Sequence, residues 1–556
     1  MAPFDDKPSE ASATVPASTS SSSTWGLRRS LFVVLGALVV LVVWSIGAEY
    51  SVLTTAKSSF LSLIHAASGV DKNSLQYYPE EVFETDWATK IPEAELLHVS
   101  ALHKACVKHK DAIIPWNFGI ETVVAATSSS SGASNAPPQT ADDNNANSPE
   151  LVLVNEDDPD LLEKLRQCPD VDIFIPAGIR SFGYCEDAAV YTKSIDCATF
   201  ANSRMLPYWV TSIEFHDAAR NRTFTYHDLC PNTPMIFFNH YWEGVPTSEK
   251  WPKTKPIYLM PNIEMHELDA DKYWAADIVL CKTAICARYL KKWYKQEGNP
   301  KHTKVLYTRH TTSDVALAVR AKIGADAIRP KNFTSVRFTH TAGTSIQKGT
   351  SRILDCWITR PDFPLVDVFI AEELWKSEFA SYFDKFVAKA KNINLHIGKL
   401  DSTQFGKMIA ESSFFLCPSF QEGYGHYINQ ARASGGVIVT TDVAPMNELI
   451  TPDSGVLVKA KTFSYRQQFL GGSSEDPHAL KNVEGFVARF SGKEVCESVD
   501  AMLTSMTPKD YETRATRAYQ QFLFDTIFFA QKMQELREYA RAKSHHYLRK
   551  EEPVAE

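Results

Sequence analysis

PSFQEGYGHYINQARASGGVIVTTDVAPMNELI, Pro418 to Ile450, is the stretch whose reading decides the fold. An apolar run ending at Cys417 enters it as a strand, a loop carrying Gly423 and Gly425 follows, and a helix runs from about His426 to Ser434. Glycines let the backbone approach a ligand closely, and a helix N-terminus presents free N–H groups and a partial positive charge suited to a diphosphate. Gly435 and Gly436 stop the helix and release a new strand.

Outward from this stretch the same alternation repeats. SVRFTHTAG, LVDVFIA, INLHIG, SSFFLCPS, GGVIVTT and GVLVKA are short apolar runs spaced by helical segments. Before them LVLV at Leu151, VDIFIPAG at Val171, MIFFNHYWEG at Met235, ADIVLCKTAICARYLKKWY at Ala276 and KVLYTRHTTSD at Lys304 form an earlier series, set off by a polar bridge near Ile328 to Thr334. Strands alternating with helices predict parallel sheets. Two doubly wound α/β domains in tandem follow, with ligand loops at the carboxyl ends of the strands. From about Pro477 the pattern is helical.

The Pro418–Ile450 stretch closely resembles the C-terminal signature of retaining GT-B glycosyltransferases, the group that includes sucrose- and glycogen-synthase-like enzymes and many mannosyltransferases. A second segment, FTHTAGTSIQKGTSRILDCW from Phe338, resembles the glycine turn and Lys-Gly step that open the donor domain of that family. The resemblance implies a GT-B fold, two Rossmann-like domains facing across a cleft. It covers about residues 335 to 459 well and the earlier domain only loosely. It also implies roles. Glu422 would contact donor-sugar hydroxyls from a loop shared with Gly423, Tyr424 and Gly425, and Lys348 would neutralise the donor diphosphate, with Gly343 allowing its close approach. In the first domain, His240 after MIFFN has the position that faces the donor sugar, and it joins Glu422 and Lys348 as a candidate catalytic residue. Asn262 and Glu264 follow another strand on the acceptor side. Two positions depart from the family. The ribose-binding Glu eight residues after Glu422 is Gln430, and the Arg after the first glycine is Thr344. Glu448 reads as a supporting residue.

A rival signal is Asp269-Ala270-Asp271, similar to the DxD that holds Mn2+ in GT-A glycosyltransferases. Such carboxylates need a hydrophobic strand feeding straight into them, and MHEL precedes these, so a helix start is the better account. No Cys/His array has metal-site spacing. The expectation is therefore a metal-independent enzyme with no cofactor beyond its nucleotide-sugar co-substrate. A non-catalytic GT-B scaffold is the alternative outside enzymes.

The chain's 44% hydrophobic and 22% charged residues can bury real cores, and a net charge of -8 offers no basic footprint for nucleic acid. Leu31 to Ala48 is an uncharged apolar run close to the roughly 20 residues that cross a bilayer. Arg28 and Arg29 precede it, which places the N-terminus in the cytoplasm. The expected plan is a tail at 1–30, a signal anchor at 31–48, a stem at 49–100, an acceptor domain at 101–327, a donor domain at 328–476, and helices at 477–556. A low-complexity insertion, 127–149, interrupts the acceptor domain. This describes a single-pass type II Golgi or ER protein with a lumenal catalytic part, a UDP- or GDP-sugar donor, and a glycan, glycoprotein or lipid acceptor. All ten cysteines would face an oxidising lumen. One or two bridges among mostly free, buried thiols are expected, and Cys185 and Cys197 are near enough in sequence to close a small loop.

Overall fold

The computed structural model describes residues 78–116, 153–193, 203–219, 221–264, 268–463, 477–481 and 487–551. The anchor at 31–48, the insertion at 127–149 and Cys197 lie outside the described residues. Among the described residues no helix is long and apolar enough to cross a membrane.

The first sheet contains β1 (Ile114–Pro115), β2 (Val171–Phe174), β3 (Ser203–Leu206), β4 (Met235–Phe238), β5 (Ile257–Met260), β6 (Ile278–Cys281) and β7 (Lys304–Tyr307). Their order is β1-β3-β2-β4-β5-β6-β7. All pairs are parallel except β1 with β3, where Ile114 faces Met205. MIFF, IYLM and IVLC are buried at every residue, as central parallel strands covered on both faces must be. The second sheet contains β8 (Phe338–Gly343), β9 (Val366–Ile370), β10 (Ile393–Ile397), β11 (Phe414–Cys417), β12 (Val437–Thr441) and β13 (Val456–Val458). It is ordered β10-β9-β8-β11-β12-β13, entirely parallel. The strand order therefore reverses between β2 and β4 in the first sheet and between β8 and β11 in the second, and doubly wound sheets bind ligands at such crossovers.

Both domains extend beyond their expected limits. Residues 78–100, expected as stem, are folded: Val82 and Trp87 are buried, and the Trp87 ring lies edge-on to Phe524 at 5.2 Å. Helix α1 (Glu93–Lys108) is bridged by Cys106–Cys185 to α2 (Phe182–Thr192). Helix α3 (Ala284–Glu297) joins β6 to β7. Helix α4 (Val315–Ile323), expected in the first domain, places Ala316 and Val319 in the second domain's core. A Cβ at Gly406 would stand 3.0 Å from that of Val319, so the missing side chain lets α6 (Ser402–Glu411) approach α4. Helix α5 (Thr350–Thr359) follows β8, and α7 (His426–Ala433) follows β11. Helix α8 (Gly492–Ser505) is tied to α5 by Cys356–Cys496. With Cys168–Cys230 the bridges number three among the described residues, and Cys185 pairs with Cys106 because their helices pack.

The 44-residue α9 (Pro508–Glu551) spans both domains. Tyr511, Ala515 and Ala518 join the second core, and Phe529, Met533, Leu536 and Ala540 join the first.

Candidate functional site

At the second sheet's crossover, the loops leaving β8 and β11 touch. Gly349, at φ +73°, has no room for a side chain: a Cβ would fall 2.0 Å from the Pro418 carbonyl oxygen. Phe420 N–H donates to Gln347 O at 2.8 Å. Behind the loops, His340 Nδ1–H donates to Leu416 O at 2.7 Å, which leaves Nε2 to accept from the Thr350 hydroxyl at 2.9 Å. This tautomer follows from chemistry, since a carbonyl only accepts. Burial lowers the His340 pKa to about 4, so the ring stays neutral and locks β8, β11 and α5 together.

Helices α5 and α7 both begin on a glycine of positive φ, Gly349 at 73° and Gly425 at 104°, with no side-chain cap. Elsewhere Thr283, Asp314, Asp401 and Ser491 cap their helices with side-chain oxygens. The two ends at the crossover thus present backbone N–H groups and the positive end of the helix dipole to whatever enters. Lys348 and Glu422 meet there, Nζ to Oε1 at 2.7 Å, with side chains 16% and 11% exposed. The Lys348 ammonium also stands 3.6 Å over the Tyr427 ring, and the Ser419 hydroxyl donates to Glu422 Oε1. A cation and a carboxylate thus meet, partly exposed, at the two glycine-led helix ends. Gly343, at φ +57°, ends β8, and Thr344 opens the loop that carries Lys348.

Tyr424 and Gln430, two of the expected donor contacts, have partners within the protein. Tyr424 is buried, its hydroxyl donating to His310 O and accepting from Asn429 Nδ2 at 2.8 Å. The Gln430 amide donates to Glu186 of the first domain at 3.1 Å. That contact gives the departure from Glu a reason, because a carboxylate at 430 would oppose Glu186. His240 follows β4 at the first sheet's crossover, its ring edge-on to Trp242 at 4.6 Å. Asp269 caps the helix Ala270–Ala275, accepting from Lys272 N–H at 3.2 Å, so the Asp-Ala-Asp run is a helix start.

Between the domains runs a charged seam. Asp187 meets His310 at 2.8 Å, Lys282 at 3.0 Å and, from the second domain, His426 at 3.1 Å. Burial alone would raise the Asp187 pKa, yet Lys282 and the two imidazoles hold it well below the usual carboxylate range. Burial pushes His310 down to about 4. Asp187, His310 and His426 offer ligand atoms within 4.8 Å of one another, a set of the kind that takes a divalent cation, but the Lys282 ammonium already holds the carboxylate. Glu186 accepts from Ser313 N at 2.9 Å, Ser313 Oγ at 2.7 Å and Thr312 Oγ1 at 3.0 Å. Glu448 caps α3, accepting from the N–H groups of Ala284 and Ile285 at 2.7 and 2.8 Å, and burial still lifts its pKa to about 7. Asp525 of α9 takes Arg432 and the Tyr78 hydroxyl at 2.7 Å each and Arg309 at 3.2 Å.

No family model and no curated protein matches the chain. Among solved structures it is similar to alpha,alpha-trehalose 6-phosphate synthase from Burkholderia multivorans, with 11% identity over 57% of this chain and 72% of that one, at TM-score 0.41. It is similar also to sucrose-phosphate synthase from Thermosynechococcus elongatus, with 12% identity, coverage of 56% and 74%, and TM-score 0.37. A glycosyltransferase from Rickettsia africae gives 11% identity, coverage of 56% and 78%, and TM-score 0.37.

Ser419, Tyr427, His340 and Thr350 join the site without a signal of their own type in the sequence, though all four lie in the two segments that gave Lys348 and Glu422. The seam had no such guide. Its pairs join residues as far apart as 447 positions, and nothing in the periodicity of either partner marks the other.

Proposed function

We propose that this chain is a GT-B glycosyltransferase that moves a sugar from a UDP- or GDP-sugar to a hydroxyl of a glycan, glycoprotein or lipid, with retention of anomeric configuration. The carrying observation is the Lys348–Glu422 pair, set at a doubly wound crossover between two glycine-led helix ends. Lys348 and the N–H groups of α5 and α7 stabilise the departing diphosphate electrostatically, and this lets transfer proceed without a bound metal. Glu422 orients donor hydroxyls, and the first domain, with His240, forms the opposite wall. The positive-inside pattern around 31–48 supports a Golgi or ER type II anchor with this cleft in the lumen. Protease added to sealed vesicles should then trim only the N-terminal tail.

A non-catalytic sugar-binding scaffold is the second reading, favoured by the commitment of Gln430 to Glu186. The purified full-length chain, offered a panel of UDP- and GDP-sugars with and without EDTA, separates the readings. Transfer that survives chelation supports the proposal. Loss of transfer restored by Mn2+ refutes metal independence, and nucleotide binding without turnover supports the scaffold.

A further inference from the structure

Glu264, four residues beyond β5, reaches from the first domain onto the loop that carries Glu422. A Cβ on Gly423 would lie 2.1 Å from its Oε1 and 2.8 Å from its Oε2, so the carboxyl fills the space a side chain would need. Oε2 is closed off from solvent and has no hydrogen-bond partner among the described residues. An enclosed oxygen left unpaired is costly, which points to a partner that binds there. The charged groups facing it are Lys282 at the end of β6, Glu422 on the loop and Asp187 on α2. Burial raises the Glu264 pKa most, Lys282 and the residue's own backbone N–H lower it, and Glu422 and Asp187 raise it again, to about 7. Near neutrality the group therefore carries a proton much of the time, and a protonated carboxyl can donate where an ionised one only accepts.

We propose that Glu264 is a specificity residue for the transferred sugar, donating a hydrogen bond to the same sugar hydroxyl whose proton Glu422 accepts. The inference rests on reading the crossover as a nucleotide-sugar site. Two carboxyl groups then read one hydroxyl from opposite sides, one as donor and one as acceptor. A sugar lacking that hydroxyl leaves both unpaired, the arrangement by which polar sites reject analogues most strongly. Above neutral pH Glu264 loses its proton, the donor disappears, and two negative carboxylates flank Gly423.

The test uses the full-length chain and whichever UDP- or GDP-sugar proves the best donor. kcat/KM is followed from about pH 6 to about pH 9 for wild type, Glu264→Gln and Glu264→Ala, alongside binding of UDP and GDP. Wild-type kcat/KM should fall above about pH 7, approaching about tenfold per unit. Glu264→Gln, whose amide still donates and cannot ionise, should keep most activity with no alkaline decline. Glu264→Ala should lose roughly 10- to 150-fold, the worth of one hydrogen bond to a charged or enclosed partner, and should discriminate less against deoxy analogues, with UDP or GDP binding unchanged. An alkaline decline that persists in Glu264→Gln, or unchanged discrimination in Glu264→Ala, overturns the inference and leaves the transferase reading standing. Failure of wild type to bind either nucleotide or to transfer any sugar removes both.

Discussion

The Lys348–Glu422 pair and the Asp525 cluster each contain a 2.7 Å ion pair, and they are built for different ends. Asp525, Arg309 and Arg432 are at most 2% exposed, and a phenol and two guanidinium groups close around one carboxylate. Lys348 and Glu422 keep 16% and 11% of their side-chain surface and face helix ends without side-chain caps. Charges spent wholly on one another hold domains together. Charges left partly exposed can be re-partnered by a ligand.

The contrast is tested most severely at Asp525. Asp525→Ala leaves two guanidinium groups enclosed without a counter-charge and should destabilise the fold by about 3–5 kcal/mol, read by denaturant unfolding. A loss below about 1 kcal/mol would show that the seam does not bind the domains. Lys348→Ala and Glu422→Ala should barely move the melting temperature while each lowers transfer about 10- to 150-fold, the equivalent of one charged hydrogen bond of about 1.5 to 3 kcal/mol. Near-normal turnover in both variants, by steady-state kinetics, would erase the distinction between the two clusters. Gln430→Glu tests the seam within the signature helix itself. Opposed to Glu186, the new carboxylate should destabilise by about 1–3 kcal/mol; tighter nucleotide binding instead would place residue 430 on the ribose. The smallest effect is expected at Asp269→Ala, about 1 kcal/mol from the lost helix cap, with no change in transfer or metal response.

The acid side of stability follows from the same clusters. In the unfolded chain imidazoles take protons near pH 6.5, whereas burial lowers His310 and His340 to about 4. Below about 6.5 the unfolded state binds more protons, so their stabilisation, full above that pH, drains away as pH falls towards 4. A denaturation series should show it.

The second domain could be read from its sequence because each device there is local. Gly349, Lys348, Glu422 and Gly425 occupy loops between runs whose periodicity names strand and helix. The first domain gave its strands in the same way, since MIFF and IVLC are continuous apolar runs, but its edges were hidden. Trp87 and Val82 look like stem residues until Phe524, more than four hundred positions later, supplies the surface they bury. Tyr424 and Gln430 resemble donor contacts in one dimension and meet His310 and Glu186 in three. Cys185 could not be matched with Cys106 before α1 and α2 were known to pack. Spacing along a chain reports neighbours on one element, and these partners sit on different ones.

The path of α9 carries a consequence for synthesis. Phe529, Met533, Leu536 and Ala540 complete a core whose strands begin at Ile114, and Tyr511 and Ala515 serve the other core on the way. A nascent chain that has emerged as far as residue 500 therefore carries a first domain with one wall missing and its apolar face uncovered. Contacts of such long sequence separation form slowly, and exposed intermediates of this kind aggregate. Chains cut short by only a few dozen residues should therefore burden chaperones far out of proportion to the length they lack.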